Sequence, residues 1–206
     1  KRAQISRGES RRIAITKAAQ LPGVRAILMT EPEKVSLIHF LHELAKSLVD
    51  NKTDVVVPKR SDELFRATYP DYMYDSEQEG NILFNELLRT HDILPIGMPD
   101  FDMFFGPRLF RNYTNIMHLF KKQYVFPNRI VSEKLYATDD FSNALYFPIV
   151  DALRNKLRVV SIEIPFTYPQ LQKENEEISS REAFIEKRRK QRVSVLVDLI
   201  SLLRSF

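Results

Sequence analysis

The stretch Val24-Arg25-Ala26-Ile27-Leu28-Met29-Thr30-Glu31-Pro32-Glu33-Lys34 decides how the chain is read. Behind Gly23, the apolar run Ala26 to Met29 predicts a short buried strand, and Thr30-Glu31-Pro32-Glu33 sets two carboxylates where that strand ends. In open α/β sheets ligands sit beyond the carboxyl ends of the strands, so these acids are candidate site residues. Pro32 fixes its own φ, biases Glu31 toward extended backbone and suits the first turn of a helix, expected over Val35 to Leu48. Paired carboxylates there can hold a divalent cation beside a diphosphate or orient a sugar hydroxyl. They equally suit the positive end of the next helix, and spacing alone does not choose between the two roles.

Working outward, Asp54-Val55-Val56-Val57 is β-branched and apolar on both faces, as a central parallel strand is. Pro58-Lys59-Arg60 ends it and brings two cations to the sheet edge that carries Glu31 and Glu33. Upstream, Arg7-Gly8-Glu9-Ser10-Arg11-Arg12 leads into a helix over Ile13 to Ala19, stopped by Leu21-Pro22-Gly23. Backbone N–H groups beside Arg7, Arg11 and Arg12 suit a phosphate or the carbonyls of a nucleotide base, and a solvated basic turn fits the same residues.

Downstream, Leu64 to Tyr74 reads as an ordered loop in which Tyr72 and Tyr74 are available to a ligand. Ser76 and Glu79 have the spacing of a capping box, which predicts a helix through Ile82, Leu83, Phe84, Leu87 and Leu88 and gives Glu77 and Glu79 a capping role. In Asp100-Phe101-Asp102-Met103-Phe104-Phe105-Gly106-Pro107-Arg108, aromatics flank two acids. Gly106-Pro107 turns the chain into a helix expected from near Leu109 to Gln123, and Gly106 serves either that turn or a close approach of backbone to ligand. Thr138-Asp139-Asp140 predicts the start of a nearly all-apolar helix that Pro148 kinks or divides. Leu157 to Pro169 holds an edge strand alternating at Val160, Ile162 and Ile164. A polar stretch, Gln170 to Glu177, precedes a long amphipathic helix from about Arg181 to Arg204. Its charged half, Glu186 to Lys190, reads as a solvated face, and its apolar half packs on the domain or makes a dimer contact.

With 206 residues, 44% hydrophobic and 28% charged, the chain suffices for one α/β domain. The absence of cysteine excludes disulfides, a thiol nucleophile and a thiolate metal site. His39, His42, His91 and His118 form no tight metal-ligand spacing. No apolar run reaches the ~18 residues of a membrane span and no signal-peptide core opens the chain, so a soluble, cytoplasmic protein is expected. The net charge of +4 favours anionic partners, but the aromatic-basic interleaving of RNA-binding surfaces is missing, so the phosphates of a small nucleotide are expected rather than nucleic acid.

The order of these pieces resembles the later two thirds of a GT-A-fold glycosyltransferase of the family 2 type. Arg7 to Ile15 is similar to the family's K-G-x-A-R-x-x-A-I segment, Ala26 to Glu33 to its strand and D-x-D, and Asp54 to Arg60 to its a-D-V-V-v-x-x-R. Asp102 to Arg111 resembles D-x-x-x-G-x-x-x-f-r, and Leu145 to Pro165 the closing helix and strand. Glu31-Pro32-Glu33 replaces D-x-D, Tyr168 takes the place of a family histidine, and the family's first strand with its base contacts is not in this sequence.

The resemblance implies a GT-A-like, mostly parallel sheet flanked by helices, forming one domain over residues 1–206, with an amphipathic helix at 178–206 and an N-terminal βα unit missing. It implies transfer of a sugar from a UDP- or GDP-linked donor to an acceptor hydroxyl. Arg7, Arg11, Arg12, Thr30, Glu31, Lys59, Arg60 and Gly106 would hold the nucleotide sugar, and Glu31 and Glu33 a Mn or Mg ion. Tyr72 and Tyr74 would face the acceptor, and Asp102 or Asp100 would be the base, with a pKa raised by aromatic neighbours. A homodimer through the C-terminal helix is compatible with this picture. The alternative is a non-catalytic nucleotide-sugar-binding or scaffold protein of the same fold.

Overall fold

The computed structural model describes residues 6–50, 52–126, 143–178 and 181–205. Four strands form one sheet in the order β1-β3-β2-β4: β1 (Ala26–Met29), β2 (Val55–Arg60), β3 (Arg108–Arg111) and β4 (Val159–Ile164). Both pairings of β3 are antiparallel and that of β2 with β4 is parallel, which corrects the expected mostly parallel sheet to a mixed one. The error lies in β3, which the sequence reading gave to a helix starting near Leu109. Its four residues carry arginine at both ends and have no periodicity of their own; β1 and β2 supply the pairing on either side.

Alternation along the strands divides the core between two faces. Ile27, Met29, Val55, Val57 and Phe110 point to one, against α1 (Arg7–Ala19), α4 (Asp71–Thr90), α5 (Thr114–Lys121), α6 (Asn143–Arg154) and α8 (Arg181–Arg204). Val56, Leu109 and Ile164 point to the other, against α2 (Leu41–Asp50), α3 (Asp62–Thr68) and the start of α4. The architecture is therefore α/β, with helices on both faces of the sheet.

Several local expectations change. The predicted loop over Leu64 to Tyr74 is helical: α3 ends at Thr68, Pro70 caps α4, and α4 begins at Asp71, five residues before Ser76, so Ser76–Glu79 is helix interior and no capping box. The single helix expected from Val35 begins as a 3₁₀ segment, Pro32–Phe40, before α2. The tighter winding leaves Val35 and Ile38 exposed while Leu37, Leu44 and Leu48 are buried. Gln170–Ile178 forms α7. α6 runs through Pro148 as one helix, nearly all buried, and β4 lies at the sheet edge as expected. The expected helix start at Thr138-Asp139-Asp140 lies outside the described residues. The apolar half of α8 packs into the domain core through Val195, Leu199, Leu202 and Leu203. No described helix is long and apolar enough to cross a membrane.

Candidate functional site

Since β3 is antiparallel to both β1 and β2, the carboxyl ends of β1, β2 and β4 share one sheet edge with the amino end of β3. Four chain segments therefore meet there: Thr30–Lys34 after β1, Arg60 at the end of β2, the Asp102–Pro107 turn entering β3, and Pro165–Tyr168 after β4. A cleft of about 390 Å³ opens at this edge, with α8 as its far wall. Its lining brings together Arg7, Glu31, Glu33, Arg60 and Gly106 of the residues singled out from sequence, and adds Lys34, Glu77, Lys187 and Arg188.

The tip of β1 is shaped by Pro32, which follows an extended Glu31 (φ −86°, ψ 149°) and starts the 3₁₀ turn. The Lys34 N–H closes that turn on the Glu31 carbonyl at 3.0 Å. Lys34 itself leaves helical geometry (φ −96°, ψ 36°), and its ammonium donates to Glu31 Oε2 at 3.0 Å and to the Phe105 carbonyl. Gly106, at φ +98°, is where the Glu31 carboxylate is seated: a Cβ at that position would lie 2.5 Å from Glu31 Oε1. Only glycine provides both the backbone conformation and the space.

The tip of β2 is closed. Arg60 is 2% exposed and donates from Nε and Nη2 to the two oxygens of Asp102, each at 2.7 Å, and from Nη1 to Glu77 Oε2 at 2.7 Å. Its backbone N–H adds a fourth bond, to Asp102 Oδ2 at 3.1 Å, and its guanidinium lies 3.5 Å from the Phe65 ring centroid. Asn81 donates to Asp102 Oδ1 at 2.8 Å and accepts the Phe104 N–H at 3.1 Å. Burial works against both charges, but the mutual attraction outweighs it: Asp102 is held below its ordinary pKa and Arg60 well above. The expected rise of the Asp102 pKa is thus corrected. The aromatic neighbours do desolvate the carboxylate, yet Arg60 more than compensates and both oxygens are occupied.

Glu77 carries the network across the cleft, its second oxygen 3.5 Å from Arg188 Nη1 on α8. One turn further on, Arg192 pairs with Glu79 at 2.8 Å and bonds the Ser76 carbonyl at 3.2 Å, fastening α8 to α4. The charge run of α8 is therefore more than a solvated face, since Lys187 and Arg188 line the cleft. Among the lining residues Arg7, Lys34, Arg60, Lys187 and Arg188 stand against Glu31, Glu33 and Glu77, and Asp102 behind Arg60 is a fourth carboxylate, which leaves a small positive excess carried by the residues other than Arg60. Phe104 supplies partly exposed ring surface, while Tyr69, Tyr146 and Tyr168 are buried in the wall behind it, where burial pushes the phenols of Tyr69 and Tyr146 above their ordinary range.

The other sequence candidates lie elsewhere. Lys59, Tyr74, Asp100 and Asp102 line a second pocket of about 340 Å³ on the opposite side of Arg60. There Asp100 pairs with Arg89, and the Tyr74 hydroxyl donates to Asp62 at 3.0 Å. Tyr72 faces Phe184 of α8, with ring centroids 6.4 Å apart. Thr30, Arg11 and Arg12 are not among the residues lining the cleft. A signal for Glu77 existed in the helical recurrence of Met73, Glu77, Asn81, Phe84, Asn85 and Leu88, now the buried stripe of α4. For Lys187 and Arg188 none did, because a charge run on a helix looks the same docked or solvated.

The fit of a divalent ion to Glu31 and Glu33 can be tested on these contacts. The ammonium of Lys34 already neutralises Glu31, Glu77 is held by Arg60, and no group of three His, Asp or Glu side chains suited to a metal occurs among the described residues. The donor set does not suit the ion. Comparison of the chain with family models, curated proteins and solved structures finds no match.

Proposed function

We propose that the cleft binds a nucleotide-diphosphate sugar and transfers the sugar to an acceptor hydroxyl. The observation that carries this reading is the convergence of four strand ends on one cationic, ring-lined cleft whose volume falls in the range of small-molecule sites. The order of sequence motifs that resembles family 2-type GT-A glycosyltransferases supports it, as does the seating of the segments that carry those motifs around one edge of an α/β sheet.

In the proposed reaction the acceptor oxygen bonds to the anomeric carbon while the bond from that carbon to the diphosphate oxygen breaks. The bonding pair leaves on the diphosphate, and the hydroxyl proton passes to a carboxylate. Arg7, Lys187 and Arg188 hold phosphate charge, and the partly exposed Phe104 offers ring surface to the sugar or the base. Glu33 is exposed at the cleft and outside the ion pairs that occupy Glu31 and Glu77, so the proton role is assigned to it rather than to Asp102 or Asp100. Asp102 becomes a positioning residue that fixes Arg60 and the entry to β3.

Calorimetric titration with UDP- and GDP-sugars, followed by turnover assays with a panel of hydroxyl acceptors, tests the proposal. Binding with turnover supports it, binding without turnover supports the scaffold alternative, and absence of binding rejects both.

A further inference from the structure

Resting on that reading, we infer that the cleft takes the diphosphate of its donor without a divalent cation, and that Lys34 supplies the positive charge that such a cation would bring. Glu31 sits where the carboxylate of a metal-binding strand tip would be, but both of its surroundings are fixed by the chain. On one side the glycine at 106 admits its carboxylate to within 2.5 Å of where a Cβ would stand. On the other, Lys34 Nζ lies 3.0 Å from Oε2. A Mg or Mn ion coordinated to that oxygen at about 2.1 Å would lie within roughly 5 Å of the ammonium, two like charges sharing one ligand. The lysine is anchored from a second direction by the Phe105 carbonyl and from a third by the Phe105 ring, with Nζ 5.2 Å from its centroid. It belongs to the cleft wall, and with a side-chain exposure of 14% its charge is little screened.

The remaining carboxylates do not complete a metal site. Glu77 is bound by Arg60 and faces Arg188, and Asp102 is enclosed behind Arg60. Arg7, Lys187 and Arg188 beside Lys34 are the cationic side chains that a diphosphate would meet at the cleft. As the bond to the anomeric carbon breaks and its electron pair moves onto the diphosphate, the ammonium of Lys34 can exchange Glu31 for the leaving phosphate oxygen. Glu31 acts in this scheme as the resting partner of the lysine rather than as a metal ligand.

The test is calorimetric titration of the intact chain with UDP and with GDP, each in excess EDTA and in excess Mn, for wild type, Lys34→Met, Lys34→Arg and Glu31→Gln. We expect the preferred diphosphate to bind wild type with a Kd that differs by less than about twofold between EDTA and Mn. Lys34→Met should weaken it about tenfold or more, Lys34→Arg should retain most of the affinity, and Glu31→Gln should bind as tightly as wild type or tighter. Binding that requires Mn, or that Glu31→Gln abolishes while Lys34→Met keeps it, would overturn the inference and leave glycosyl transfer standing. Absence of binding by either diphosphate in both conditions would overturn the glycosyl-transfer reading, and this inference with it.

Discussion

The tips of β1 and β2 lie at one sheet edge and carry charges of both signs, yet they are built for different ends. At β2, Arg60 and Asp102 are buried and mutually saturated, with Glu77 on the third guanidinium nitrogen and Asn81 on the carboxylate. At β1, Glu31 and Lys34 keep side-chain exposures of 17% and 14% and share a single ion pair at the wall of an open cleft. The β2 cluster is a frame: with every strong donor and acceptor committed, it offers a ligand nothing, while breaking it strands a charge in the interior. At the β1 pair, the proposed scheme has Lys34 exchange Glu31 for a ligand oxygen while it keeps the Phe105 carbonyl and ring. Charge at a strand tip points to a site only where the fold has not enclosed it, and the proposed chemistry is accordingly assigned to the cleft-lining Lys34, Glu33, Lys187 and Arg188 rather than to the enclosed Asp102.

The largest break in the comparison should come from Arg60→Met, which leaves Asp102 and Glu77 buried without their cation. Urea unfolding is expected to show a loss of about 3–5 kcal/mol. Asp102→Asn should cost about 1.5–3 kcal/mol at neutral pH, since charge-assisted bonds to Arg60 become neutral ones. The folded-state pKa of Asp102 lies below its ordinary value, so its contribution is complete above that value and is lost as pH falls toward the folded pKa. Wild type should therefore lose stability as the pH drops below the usual carboxylate range, and Asp102→Asn should lose less over the same interval. Equal acid sensitivity of the two proteins in thermal melts would remove the frame role.

Gly106→Ala joins the two tips, because a side chain at φ +98° displaces Glu31. A cost of about 1–3 kcal/mol is expected, with altered diphosphate affinity. Arg188→Gln should sharpen the contrast from the other side: its pair with Glu77 spans 3.5 Å and is partly exposed, so stability should change by less than about 1 kcal/mol while diphosphate affinity falls about tenfold. The smallest stability effect, within about 0.5 kcal/mol, is expected for Glu33→Gln, whose signature is instead a lowered kcat.

Part of this was legible in the residues. Ala26 to Met29 and Val55 to Val57 declared their strands by apolar runs, Pro32 marked the turn, and the half-polar alternation of Val160, Ile162 and Ile164 put that strand at the edge. Glu31 and Arg60 followed as strand-tip residues on one cleft. Three things were missed, the second of them although the residues carried its signal. β3 exists only through its neighbours, and with it went the direction of two of the three strand pairings. The tyrosines and prolines around Tyr69-Pro70 suggested a loop, which cut α4 at Ser76 and turned Glu77 into a cap, although its place on the stripe from Met73 to Leu88 was there to be counted. The proximity of Arg60 to Asp102, 42 residues apart, decides that Asp102 is a paired anion, and no local pattern reports it.

The most direct test of the central claim, that the four strand ends form one ligand site, is amide chemical-shift mapping of the intact chain during titration with a UDP- or GDP-sugar. The account predicts shifts concentrated at Glu31, Lys34, Gly106, Tyr168 and Arg188, with Thr114, His118 and Asn155 around a separate surface pocket unmoved. Shifts confined to Tyr74, Asn85 and Asp100 in the second pocket, or no saturable shifts at the sheet edge, would contradict it.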